Sequence, residues 1–276
     1  MGTAPSQKLA GRTLVMSGGS RGIGLAILVA AAREGANTVF LAKTDQPDPR
    51  LPGTVHTAVA EIEAAGGKAV AVVGDVRNEE DVQRAVDTAV ETFGGIDICV
   101  NNASALNLTG TEELPVKRFD LMQQINTRGT FVLTKACIPH LKRSDAAQIL
   151  TLSPPISLAP HWLGPHPAYT LSKYGMTLLT LGFAAEFESD GIAANCLWPR
   201  TTIATAAVIN LIPDAANASR SPEIMGDAAV AIFTGPWRSG ECLIDDDVLA
   251  AAGVTDLSKY GAGPDFAPDL FVDSVS

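Results

Sequence analysis

The sequence predicts an α/β fold: a doubly wound parallel sheet of about seven strands with helices on both faces. Three observations predict it. Short apolar runs alternate with longer stretches of helical period, the pattern of βαβ units. The runs are almost wholly apolar rather than alternating, as strands buried on both faces require. The first run passes straight into the glycine-rich turn Ser17-Gly18-Gly19-Ser20-Arg21-Gly22-Ile23-Gly24, after which helical period resumes.

The elements follow in order. Residues 12–17 read as the first strand and 22–34 as a helix opened by glycines. Residues 37–42 are a second strand, and 54–65 a helix closed by Gly66-Gly67. The valine-rich run 68–73 is a third strand. Asn78 suits the cap of the next helix, which carries Asp and Glu early and runs toward Phe93. Residues 96–100 and 148–152 are strands on either side of a long helical stretch, 116–141. Pro167 opens the helix that carries Tyr169 and Lys173. Residues 193–198 and 241–244 complete the sheet. Residues 50–53 belong to a polar, proline-rich insertion after the second strand. The whole of 1–276 is expected to form one domain, with 246–276 as an extension packed on it.

Composition bounds the function. The 276 residues are 46% hydrophobic and 18% charged, which suits one globular domain with a sizeable core. A net charge of -10 without a basic block argues against nucleic acid or an anionic membrane as partner. The four cysteines lack C-x-x-C spacing and read as buried free thiols. The four histidines lack metal-ligand spacing, so no metal is expected. His161 and His166 read as solvated loop residues. The first eight residues carry no signal-peptide pattern, and no apolar run is long enough for a membrane span. The last residues, Asp273 to Ser276, are no peroxisomal address, so the expected location is cytoplasmic.

Two motifs carry the chemistry. In Tyr169-Thr170-Leu171-Ser172-Lys173, helical spacing sets phenol and ammonium on one face, one turn apart. A nearby ammonium stabilises a phenolate, so Tyr169 is expected to titrate below its ordinary value and to exchange a proton near neutral pH. In the turn 17–24, glycines let the backbone bend tightly and bring its N–H groups against a pyrophosphate at a helix N-terminus. Its G-x-x-x-G-x-G spacing between a first strand and a first helix points to a dinucleotide. The second strand ends without the acid that meets a 2′-hydroxyl. Lys43 stands there instead, with Arg21 close by, and both suit a 2′-phosphate. NADP(H) is therefore favoured. Asp45 serving the ribose would make NAD(H) possible. Asp75, after the third strand, is placed to accept a hydrogen bond from adenine. Asn101-Asn102-Ala103-Ser104 can tie strand ends together and follow the cofactor.

With Asp75-Val76, Asn126 and the stretch 195–199, these residues resemble the short-chain dehydrogenase/reductase family in the family's own order. Strings such as Asn126-Thr127-Arg128-Gly129-Thr130 and Leu152-Ser153-Pro154-Pro155 resemble its hydroxysteroid dehydrogenase-like protein 2 group. Animal members of that group carry a C-terminal sterol-carrier domain and a peroxisomal signal. This chain stops before either, so it is expected to be a stand-alone version of the dehydrogenase domain, bacterial in origin. The resemblance implies a Rossmann-type sheet, an NADP(H)-dependent reaction between a secondary alcohol and a ketone, and a homodimer or homotetramer. It makes Tyr169 the proton donor or acceptor, Lys173 its tuner and a ribose ligand, and Asn126 the holder of a relay water. It implies cofactor contacts from Ser17, Gly18, Ser20, Arg21, Gly22, Ile23, Gly24, Lys43, Asp75, Val76, Asn102, Ala103 and Ser104. Pro199 and Ile203 would lie along the nicotinamide.

Departures from the family pattern narrow these expectations. Ser17 stands for a threonine and keeps the hydroxyl. Ser104 and Arg200 stand for glycines and are expected to narrow the cofactor channel. Pro154 falls on the catalytic serine position. Ser153, adjoining the strand end, is taken for the catalytic hydroxyl, with Ser157 as the alternative. The expected substrate wall is Ile156, Leu158, Trp162, Leu163 and residues 204–212, which fits a lipid-like or cyclic substrate. The alternative reading is a catalytically weak nicotinamide-binding sensor or scaffold.

Overall fold

Strand sequences that are almost wholly apolar bury both faces, and here the central ones do so in one sheet. The structure, a computed structural model, describes residues 7–48, 53–211, 218–261 and 266–273. Strands β1 (Thr13–Ser17), β2 (Asn37–Ala42), β3 (Lys68–Val73), β4 (Ile98–Asn101), β5 (Gln148–Thr151), β6 (Ala193–Trp198) and β7 (Cys242–Ile244) pair in the order β3-β2-β1-β4-β5-β6-β7. Every pairing is parallel. The order reverses between β1 and β4, whose last residues, Ser17 and Asn101, stand in register. In an open α/β sheet, that switch point is where a ligand crevice forms.

The two-residue period of the strands sorts the core into two layers. Leu14, Met16 and Phe40 face one side. Helices α1 (Gly22–Arg33), α2 (Val55–Ala64), α9 (Glu223–Thr234) and α10 (Asp245–Ala251) pack there through Ile27, Ile62, Ile232 and Val248. Val15, Val39 and Leu41 face the other side. Helices α3 (Glu79–Phe93), α5 (Gly129–Leu141) and α7 (Pro167–Glu186) cover that side through Val86, Leu133 and Phe183. Thr54 caps α2 by accepting the Thr57 N–H, and the Asn78 side chain caps α3. Gly94 ends α3 at φ 88°, a left-handed turn open to glycine.

The long helical stretch holds a device that periodicity does not show. Between α4 (Val116–Met122) and α5, residues Gln123–Arg128 widen into a π-helical turn. The Asn126 side chain accepts the Ala105 N–H at 2.7 Å and donates to the Ala105 carbonyl at 3.0 Å. Helices α6 (Pro160–Leu163), α8 (Ala206–Leu211), α9 and α10 lie where no helix was read. The fourth strand begins at Ile98 rather than 96. Of the expected insertion 50–53, residues 50–52 lie outside the described residues. The expected extension is partly helical, because residues 245–251 form α10 against α9. Cys99, Cys137 and Cys196 are buried free thiols, and Cys242 is a half-buried one.

Phe40 is fully buried beneath the glycine turn, where a Cβ on Gly19 would come within 2.8 Å of it. Phe40→Ala is expected to cost about 3–5 kcal/mol in urea denaturation. A loss well under 1 kcal/mol would show that the turn does not rest on this ring.

Candidate active site

The strand ends at the switch point are braced to each other. The Ser17 hydroxyl accepts the N–H groups of Asn102 (3.3 Å) and Ala103 (3.2 Å). The Asn102 amide donates to the carbonyls of Ser17 (3.2 Å) and Gly18 (2.8 Å). Asn101 reaches the other way, donating to Thr134 and to Thr151 of β5. The closeness demands glycine. Gly18 sits at φ 80°, and a Cβ there would lie 2.9 Å from the Asn102 amide nitrogen. A Cβ on Gly24 would lie 2.3 Å from the Gly18 carbonyl oxygen.

Beside this brace opens a cleft of about 590 Å³. Gly18, Ser20, Arg21, Gly22, Ile23 and Gly24 form one wall, and Asn102, Ala103 and Ser104 another. No side chain caps the N-terminus of α1, so its first N–H groups are free of side-chain partners at the cleft. Bare backbone, uncapped donors and this volume fit a nicotinamide dinucleotide.

Charge gathers at the end of β2. Lys43 Nζ lies 3.4 Å from Asp75 Oδ2, on a mostly exposed side chain. Arg21 donates to Thr44 Oγ1 (2.5 Å) and to the Gly53 carbonyl (3.1 Å). Lys43, Thr44, Asp75 and Val76 all line the cleft. The Asp75 carboxylate, expected to await adenine, is already gripped by Arg77 at 2.6–3.0 Å. That grip brings its pKa down to about 2. Asp45 pairs with His56 instead and is not part of the cleft lining.

Tyr169 and Lys173 share a face of α7, but both are nearly sealed, at 6% and 2% exposure. Lys173 Nζ donates to the Leu152 carbonyl at 2.6 Å and lies 4.8 Å over the Trp198 ring. Burial pulls its pKa down to about 7. Burial, seconded by Asp269, pushes Tyr169 above its ordinary value. The expected lowering of the phenol is thus overturned in this conformation: desolvation and the Asp269 carboxyl both oppose the phenolate.

Other expectations also need correction. Neither Tyr169 nor Lys173 lines the cleft, and nor do Pro199 and Ile203. Ile203 is buried in a bridge to Arg220, and Ala204 and Thr205 take the cleft wall. Arg200 does not narrow the channel, since its guanidinium turns to Asp246 and Asp247 at 2.6 Å. The Asn126 side chain is spent on Ala105 and on Ser172 Oγ (2.9 Å), bracing the loop after β4 to α7. Ser153 is fully buried, and its Oγ has no hydrogen-bond partner among the described residues. Ser157 is held by the Tyr174 hydroxyl, which accepts its N–H and donates to its carbonyl. His161 is exposed and pairs with Asp273, but His166 is buried at 6% exposure, its ring 6.0 Å from that of Tyr169. Leu158, taken for substrate wall, is 76% exposed, whereas Trp162 and Leu163 pack on the aromatic cluster around Tyr169.

The residues that sequence reading missed come from the end of the chain. Residues 266–273 return across the end of β6, where Thr202 N–H donates to the Ala267 carbonyl and Asp269 N–H to the Arg200 carbonyl. Trp198 donates to the Leu270 carbonyl at 2.8 Å. Asp269 approaches the Tyr169–Lys173 pair, and burial raises its pKa to about 7. Phe271 stacks on Tyr169 with ring centroids 6.1 Å apart. No local pattern announces such contacts.

A parallel sheet in this strand order, a glycine cradle at its switch point and a Tyr-Lys pair on α7 define a nucleotide-dependent dehydrogenase. A family model for short chain dehydrogenases matches residues 12–215, and the chain belongs to that family of NAD(P)-dependent oxidoreductases. It is similar to the hydroxysteroid dehydrogenase-like protein 2 of Danio rerio, with 52% identity over 96% of this chain and 65% of the zebrafish protein. The chain thus spans about two thirds of the length of that relative. It superposes on a short chain dehydrogenase from Mycobacterium thermoresistibile with a TM-score of 0.91, 54% identity and 96% of each chain covered. A candidate dehydrogenase from Xanthomonas campestris gives a TM-score of 0.93 and 54% identity, over 96% of this chain and 99% of that one.

Lys173 makes folding depend on pH. Between about 7 and its ordinary 10.5 the unfolded chain holds a proton that the folded chain has lost. Stability from this group therefore rises with pH across that window. Urea unfolding at the two ends should show the stability of the parent rising relative to that of Lys173→Met. An equal slope in both would remove Lys173 as its source.

Proposed function

We propose that the protein interconverts a secondary alcohol and a ketone with NADP(H), on an apolar, lipid-like or cyclic substrate. One observation supports this above the rest: the Tyr169–Lys173 face of α7 is tied, through Asn126 and Ala105, to the loop that lines the dinucleotide cleft. When bound, the nicotinamide supplies or accepts the hydride.

The chain's own residues do the rest. Tyr169, kept protonated by burial, is the proton donor to a developing alkoxide, and the acceptor in the reverse direction. Lys173, held between the Leu152 carbonyl and the Trp198 face, is positioned to bind ribose hydroxyls and to tune the phenol. Arg21 and Lys43 are proposed to meet the 2′-phosphate, with Ser20, Gly22 and Ile23 at the pyrophosphate and Val76, Asn102, Ala103 and Ser104 along the rest. The cations at the β2 end support NADP(H), and the engagement of Asp45 with His56 weakens the case for NAD(H). The closed cover over Tyr169 favours the second reading, a nicotinamide-binding sensor with weak turnover. Exposed Phe131 on α5 and Leu171 and Leu178 on α7 support a homo-oligomer.

Tyr169→Phe is expected to lower ketone reduction by roughly 100- to 10,000-fold with NADPH affinity kept. Full turnover in that variant sinks the proton role. Fluorescence titration should show Lys43→Ala losing about tenfold in NADPH affinity and little in NADH affinity. An equal loss for both cofactors would argue against a 2′-phosphate contact.

A further inference from the structure

The aromatic side chain that covers Tyr169 belongs to a residue in an uncomfortable backbone state. Phe271 sits at φ 70°, the only non-glycine residue with positive φ among those described. A bulky side chain is held there only when its surroundings over-determine it. They do. The ring is 3% exposed, and five rings surround it: Tyr174 at 5.2 Å, Trp162 at 5.8 Å, His166 at 5.9 Å, Tyr169 at 6.1 Å and Trp198 at 6.2 Å.

What the ring covers does not match it chemically. The His166 Nε2 is buried without a hydrogen-bond partner. Buried polar groups are nearly always paired, and those that are not call for an explanation. A phenyl ring can stack with Tyr169 but offers the His166 nitrogen neither an acceptor nor a donor. A flat apolar body that carries one oxygen offers both the stacking and the missing hydrogen bond. The anchors of the segment, at Ala267, Asp269 and Leu270, are backbone bonds that the Phe271 side chain does not share. The ring can therefore leave the cluster while the segment stays attached.

We propose that Phe271 is the specificity-determining residue of the substrate site: its ring holds the place of the substrate's own ring, and a cyclic alcohol or ketone displaces it and sets its oxygen between Tyr169 and His166. The identity of the occupant rests on the oxidoreductase reading, but the cover itself does not. Acyclic substrates of similar polarity lack the flat face that replaces the stack, so they are disfavoured. His166 takes over the hydrogen bond that the sequence assigned to Ser153.

The test has one arm for each part. Nitration by tetranitromethane, followed at each tyrosine by mass spectrometry, reads the cover without any substrate. In Phe271→Ala, Tyr169 should be modified at least about tenfold faster relative to Tyr260 than in the parent, since a sealed group reacts only through local opening. Phe271→Leu, which keeps an apolar filler, should give a smaller change and serves if the alanine variant melts early. Unchanged protection of Tyr169 in both variants overturns the proposal. In the second arm, NADPH-dependent reduction of 1-tetralone, whose aryl ketone is flat, and of 2-butanone is compared. Phe271→Ala should shift the ratio of their kcat/KM by about tenfold toward the bicyclic ketone, and His166→Ala should lower the rate with tetralone while His166→Gln restores part of it. An unchanged ratio overturns the specificity role. A parent that reduces no ketone counts against the oxidoreductase reading, and the nitration result still decides whether Phe271 is the cover.

Discussion

The hydroxyl of Ser17 accepts two backbone N–H groups from the end of β4, and Asn102 returns two bonds from its amide. These contacts join the strands at which the sheet reverses its order. The glycine turn is left with one path, over the Asn102 amide and under the first turn of α1. The cleft, its uncapped helix donors and the direction of α1 all follow from that path. Gly18 and Gly24 are needed because the bonded atoms already fill the space a Cβ would take.

A second constraint acts at the ends of β5 and β6. Tyr169 and Lys173 are withdrawn from water, and desolvation moves both pKa values toward the neutral forms. Lys173 can be buried because a carbonyl oxygen and an indole face receive it. The π-helical turn before α5 lets Asn126 clamp the loop after β4 onto α7. The pair and the cleft are thus positioned by the same few side chains, though they open on different surroundings.

Most of the sheet was legible because each strand is short, mainly apolar and bounded by glycine or polar residues. The cap at Asn78 and the turn at 17–24 were legible for the same reason, since their chemistry is local. The helices after β6 were not, because that stretch mixes apolar and polar residues without clean periodicity. Arg200 was misjudged for want of its partners, which lie 46 and 47 residues further along. His166 was misjudged because a loop histidine between two prolines gives no sign that a distant segment will seal it.

Sequence by itself determined the class of fold, the dinucleotide turn, the Tyr169–Lys173 pair and the cations at the second strand's end. Each of these is a spacing within a few residues, and helix or strand geometry converts such spacing directly into position. Only the tertiary structure decided how the proton-transfer site is covered, how far its groups are desolvated and which side chains meet Tyr169. Those depend on residues 266–273 crossing the end of β6, about a hundred residues after the tyrosine they enclose. No local propensity encodes a contact across that distance; it exists because burying the Phe271 ring among five others outweighs the strained backbone that brings it there.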